Sequence, residues 1–115
     1  MSYWVYLHDK ETGEALSVDK HSEGGTQVLG GNDLAELNVT YNYSEVYSLF
    51  NFSLRDLDGV VAKNYIPALT VLVAKLKDEP YAADYWAPTP GNAGHALSIL
   101  LGWAKQHPDG IFKVH

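Results

Sequence analysis

From Glu36 to Tyr43 apolar and polar side chains alternate without a break, with Leu37, Val39, Tyr41 and Tyr43 on one side and Glu36, Asn38, Thr40 and Asn42 on the other. A period of two belongs to a strand half-buried in a sheet. The pattern therefore predicts one core face and one face of amides and hydroxyls. Ser2 to His8 repeats the period, with Tyr3, Val5 and Leu7 against Trp4, Tyr6 and His8. Asp9 to Gly13 supplies turn chemistry, and Leu16 with Val18 continue an apolar face on a returning strand, which predicts a hairpin. The face carrying Trp4 and Tyr6 then needs cover from elsewhere. Lys20 to Asn32 holds the pairs Gly24-Gly25 and Gly30-Gly31 and reads as a connection, with a short strand at Thr26 to Leu29.

The period changes further along. Ser44 has the chemistry of a helix N-cap, ahead of Val46, Leu49 and Phe50 on one side of a short helix. Phe52 to Leu57 fits neither period, and Asp58-Gly59 reads as a turn. From Asn64 to about Lys77, Tyr65, Ile66, Leu69, Leu72, Val73 and Leu76 gather on one helical face, with Pro67 tolerated in the first turn, where its missing N–H costs nothing. Val71 falls opposite that face. In the last helix Thr89 caps, Pro90 opens and Gln106 closes; Ala93, Ala96, Leu97, Leu100, Trp103 and Ala104 form its apolar stripe. Asp109-Gly110 turns the chain into a final edge strand, Ile111 to Val114, whose free side would allow a homodimer.

These elements predict an α+β fold: an antiparallel sheet of about four strands with two long helices and one short helix packed on one face. A chain of 115 residues with 46% hydrophobic content is expected to form a single domain, residues 1–115, and to bury a real core. There is no cysteine, which removes disulfides, thiolate metal sites and Cys nucleophiles. No run approaches the length of a membrane span and the first residues lack a secretory pattern, so a cytoplasmic protein without membrane contact is expected. The formal charge of −6, with eight Lys and Arg in no cluster, argues against nucleic-acid binding. An acidic surface suits a basic partner; it also simply aids solubility.

Candidate chemistry is sparse. The Gly-rich loop lacks the Gly-Lys-Ser/Thr of a phosphate cradle and does not open a helix. The five histidines, His8, His21, His95, His107 and His115, show no metal-ligand spacing. No Gly-x-Ser-x-Gly elbow is present, and no nucleophile, base and orienting group can be assembled. The expectation is therefore no catalytic residue, metal or cofactor. One cluster stands out: Tyr81, Asp84, Tyr85 and Trp86 before the last helix, with Asn38, Thr40 and Asn42 on a strand face and Asn92 in the helix's first turn. Aromatic rings, amides and a helix N-terminus are what a nucleotide-like ligand needs; the same residues also seal one end of a small core.

The run GGTQVLGG (24–31), the strand LNVTYNY (37–43), the Thr-Gly-Glu turn at 12–14 and the segment DYWAPTPGNAGHALSILLGWAKQHPDGIF (84–112) together resemble a family of small proteins found in bacteriophage and bacterial genomes. The resemblance covers most of the chain outside 45–64. It brings no catalytic residue or ligand with it. It implies a phage or prophage setting, a bacterial cytoplasmic location and action by binding. The leading expectation is an accessory protein that binds a host or phage protein through an exposed patch including Trp4, Tyr6 and Val71. The competing expectation is a small-molecule binder using the aromatic and amide cluster.

Overall fold

Strand β1 (Ser2–His8) forms where its alternation predicts and lies in the middle of a three-stranded antiparallel sheet, between β4 (Glu36–Thr40) and β5 (Ile111–Val114). The computed structural model describes residues 2–21, 32–77 and 90–115. The expected strand at Thr26 to Leu29, the Thr89 cap and the cluster members Tyr81, Asp84, Tyr85 and Trp86 lie outside the described residues. Two further strands, β2 (Ser17–His21) and β3 (Asn32–Leu34), pair with each other in a separate two-stranded sheet. The architecture is α+β.

The predicted hairpin of β1 with β2 does not form as such. After the turn at Asp9–Gly13, where Asp9 Oδ1 accepts from the N–H groups of Glu11 and Thr12, only an isolated bridge between His8 and Ala15 joins the two segments. Leu16 N–H donates to Leu7 O, Ala35 N–H to Leu16 O and Leu7 N–H to Ala35 O, so three segments meet at this corner. β2 then peels away to β3, which leaves the edges of β1 to β4 and β5.

Register assigns the faces. Val5 opposes Leu37 and Val114, and Leu7 opposes Phe112, so these side chains share the inner face and are buried. Helices α2 (Ile66–Lys77) and α3 (Pro90–Gln106) pack on each other and add Leu69, Leu72, Leu76, Ala93, Ala96, Leu97, Leu100 and Trp103 to the core, which Tyr43, Tyr47, Phe52, Leu54 and Leu57 extend from the middle of the chain. The predicted stripe of α3 is the buried one, because a helix at the core is apolar along one side only.

Two expectations at the middle of the chain are corrected. β4 stops at Thr40, and Tyr41–Tyr43 is a 3₁₀ turn, because Thr40 Oγ1 accepts from the N–H of Asn42 and turns the backbone out of the strand. The short helix α1 (Ser44–Ser48) consequently follows a turn already coiled, and Ser44 does not cap it. The anticipated free edge of β5 is also absent: Phe112 N–H donates to Val60 O, Gly59 N–H donates to Phe112 O, and Val114 N–H donates to Asp58 Oδ1. A sealed edge cannot pair with a second copy, so the structural basis for a homodimer through β5 is removed. Gly59, at φ 80°, supplies the left-handed conformation that aims residues 58–62 along β5.

Gly110 is buried where α3 turns into β5; a Cβ there would lie 2.8 Å from Leu7 Cγ and 3.0 Å from Leu16 Cδ1. Gly110→Ala is expected to lower stability by about 1–3 kcal/mol through overpacking. Urea unfolding should show a lower midpoint at unchanged slope, and an unchanged midpoint would mean that Leu7 and Leu16 give way freely.

Candidate functional site

Helix α1 ends abruptly, and its ending creates a depression in the described surface. Phe52 N–H reaches back to Tyr47 O and Asn51 N–H to Ser48 O, the paired bonds of a Schellman stop. Asn51 occupies the left-handed position, with φ 54°, which Asn tolerates better than most side chains. The reversal turns Phe52 inward, edge-on to Tyr47 with ring centres 5.6 Å apart, and leaves Leu49 and Phe50 outside. Leu49 is 81% exposed, Phe50 37% and Val71, across on α2, 54%.

Between these walls runs a groove of about 560 Å³ lined by Leu49, Phe50, Phe52, Ala68, Val71 and Leu72, with Asn51, Tyr65 and Lys75 completing it. Among the described residues Lys75 is the one charged group lining the groove, and its ammonium lies 5.8 Å from the Phe50 ring, within cation–π range. Sequence periodicity placed Leu49 and Phe50 on the buried side of a helix; the Schellman stop exposes them. The Asn51 that causes it was the available signal.

The outer face of the three-stranded sheet is a second surface. Trp4, Tyr6 and His8 follow one another along β1, Glu36 and Asn38 stand opposite on β4, and Lys113 stands opposite Tyr6 on β5. His115 pairs through its backbone with Trp4. The Trp4 and Tyr6 rings are near parallel, 22° apart with centres 6.4 Å apart; Tyr6 also lies 5.4 Å from the His8 ring and 5.6 Å from that of His115. Among the described residues, the indole N–H of Trp4, the hydroxyl of Tyr6, the ammonium of Lys113 and the imidazoles of His8 and His115 have no hydrogen-bond partner in the protein.

The expected site residues are thus distributed. Val71 borders the groove, while Trp4 and Tyr6 belong to the sheet face, so the expected protein-contact set divides between two surfaces. Asn38 is buried and donates from Nδ2 to Ser2 Oγ at 2.6 Å; Thr40 is buried and serves as the cap of the 3₁₀ turn; Asn42 is exposed; Asn92 is buried in the first turn of α3, beside Ala93, whose carbonyl accepts from the Tyr47 hydroxyl. None of these four lines the groove. Among the described residues no group of three or more His, Asp and Glu is placed to hold a metal ion, and no helix is long and apolar enough to cross a membrane.

His8 is held below the ordinary histidine pKa, first by burial and then by the positive charges of Lys113 and His115, with Glu36 opposing. The folded state therefore binds its proton less readily than the unfolded chain does. The contribution to stability is complete above the unfolded value, near 6.5, and is lost as pH falls through the folded one. Urea midpoints are expected to drop below that pH, and His8→Gln should flatten part of the slope; identical profiles would dismiss the coupling. The Asn51 turn gives a separate expectation: Asn51→Ala should cost about 1 kcal/mol and Asn51→Gly should be tolerated, measured by thermal unfolding. Comparison with protein-family models, with curated proteins and with solved structures finds no match to this chain.

Proposed function

We propose that this chain is a small accessory protein that acts by binding another protein, with the groove between residues 49–52 and α2 as its docking surface. The observation that carries this reading is the contiguity of Leu49, Phe50 and Val71, all exposed and all on one groove. Exposed apolar side chains scattered singly need no explanation, but a joined apolar surface rimmed by polar groups is the usual mark of an interface. The resemblance to small phage and bacterial proteins supports the same reading and makes the partner a host or phage protein of the bacterial cytoplasm.

The chemistry of the groove defines the occupant. Tyr65, just ahead of α2, and Ala68, Leu72 and Lys75 within it extend over about 15 Å, the length of some three helical turns. A partner helix presenting apolar side chains at i, i+4 and i+7 fits such a channel. A carboxylate on that helix would meet Lys75, which no acidic lining residue among the described ones neutralises.

Tagged wild-type protein and the Val71→Glu and Leu49→Asp variants, expressed in infected and uninfected bacteria, test the reading by quantitative mass spectrometry of what each retains. Burying one such side chain is worth about 1.5–3 kcal/mol, so each variant should lose the partner by roughly tenfold or more while keeping its circular dichroism. A captured set identical in wild type and variants would overturn the reading. A dimer of this chain that dissociates on Val71→Glu would replace the foreign partner with a second copy.

A further inference from the structure

The outer sheet face is built unlike the solvent side of an ordinary antiparallel sheet, which alternation normally makes polar. Here β1 directs Trp4, Tyr6 and His8 to that side in succession, a row of about 13 Å at the rise of a strand. Trp4 remains 36% exposed, with its ring plane close to that of Tyr6. Ring contacts between neighbours along β1, with His115 against Tyr6, explain why aromatic rings are tolerated there. They do not explain why the rings' polar ends, and those of His8, Lys113 and His115, have no hydrogen-bond partner among the described residues. A patch of flat apolar rings fringed by unused polar groups is a binding surface in want of a ligand that is itself both apolar and polar.

Charge narrows the choice. Lys113 and Glu36 both stand opposite Tyr6, so the middle of the face carries one charge of each sign. An anionic ligand such as a nucleotide would gain from Lys113 and lose to Glu36, and the chain as a whole carries −6. A neutral polyol suits the mixture, since each hydroxyl both donates and accepts. It can take hydrogen bonds from the indole, phenol and ammonium and give them to imidazole. Pyranose rings also present flat faces of C–H groups, which the negative face of an aromatic ring attracts. Rings with all-equatorial substituents present such faces on both sides, and the row is long enough for more than one of them.

We infer that the outer face of the β4-β1-β5 sheet binds a neutral, equatorially β-linked oligosaccharide, stacked on Trp4 and Tyr6 and hydrogen-bonded by His8, Lys113 and His115. This site is separate from the apolar groove and does not depend on the protein-binding reading. Shallow, stacking-dominated surfaces bind weakly, so saturation in the millimolar range is expected.

Saturation-transfer NMR and intrinsic tryptophan fluorescence, titrated with cellotriose and with N,N′,N″-triacetylchitotriose, test it on the whole chain. At least one sugar should saturate; Trp4→Ala should weaken it tenfold or more, and Trp4→Phe, which keeps a ring, should retain binding within a few-fold. The conservative variant guards against a fold defect in the alanine protein, and Tyr6→Ala provides an independent loss. Absence of saturation by either sugar, or equal binding by wild type and Trp4→Ala, overturns the proposal. So does tighter binding of adenosine monophosphate than of both sugars, which would make the occupant an anion.

Discussion

Every layer of this molecule is referred to β1, because that strand is hydrogen-bonded along both edges at once. β4 takes one edge in the register Ser2↔Thr40 to Tyr6↔Glu36, and β5 takes the other from Val5↔Val114 to His8↔Ile111. A strand fixed on both sides cannot slip, since a shift of one residue would carry Val5 and Leu7 to the outer face and Trp4 and Tyr6 into the core. Residues 58–62 then lock β5 from beyond, through Val60, Gly59 and the Asp58 carboxylate. The two candidate surfaces inherit their geometry from this arrangement: the sheet face directly, and the groove through the helices stacked behind it.

Local periodicity made much of this legible. The stripe of α3, the first-turn position of Pro67 in α2, the alternation of β1 and the turn at Asp58-Gly59 all depend on residues near one another in sequence. What escaped was decided by competition between local and distant bonds. Tyr41 and Tyr43 keep the strand period, yet the Thr40 hydroxyl captures the Asn42 N–H and the chain coils instead. Leu49 and Phe50 keep a helical period with Val46, but the Asn51 reversal ends the helix before they can turn inward. The β1–β2 hairpin lost to pairings with β4 and β5, whose partners lie far along the chain and leave no trace in a short window.

The site was less legible than the fold for a related reason. Amides on a strand suggest a ligand when their side chains are exposed, but Asn38 and Thr40 are buried and engaged in local hydrogen bonds. Trp4, Tyr6 and Val71 were identifiable as side chains lacking a place in the core. That they divide between a groove and a sheet face follows from topology, which sequence alone does not specify. The two surfaces also differ in kind: the groove is almost uncharged and concave, whereas the sheet face combines rings with titratable groups.

The pairing of β1 with β5 has a kinetic side. Leu7 and Phe112 become neighbours only after the chain between them has been gathered in, so the closure entropy of that long loop is met before the strands gain anything from contact. The turns of α2 and α3 form from neighbours in sequence and need no such closure. Folding should accordingly assemble helical structure early and the sheet late, and until β5 arrives one edge of β1 stays open to pairing with another molecule. The interval before sheet closure, more than the finished fold, is where this protein is exposed to aggregation.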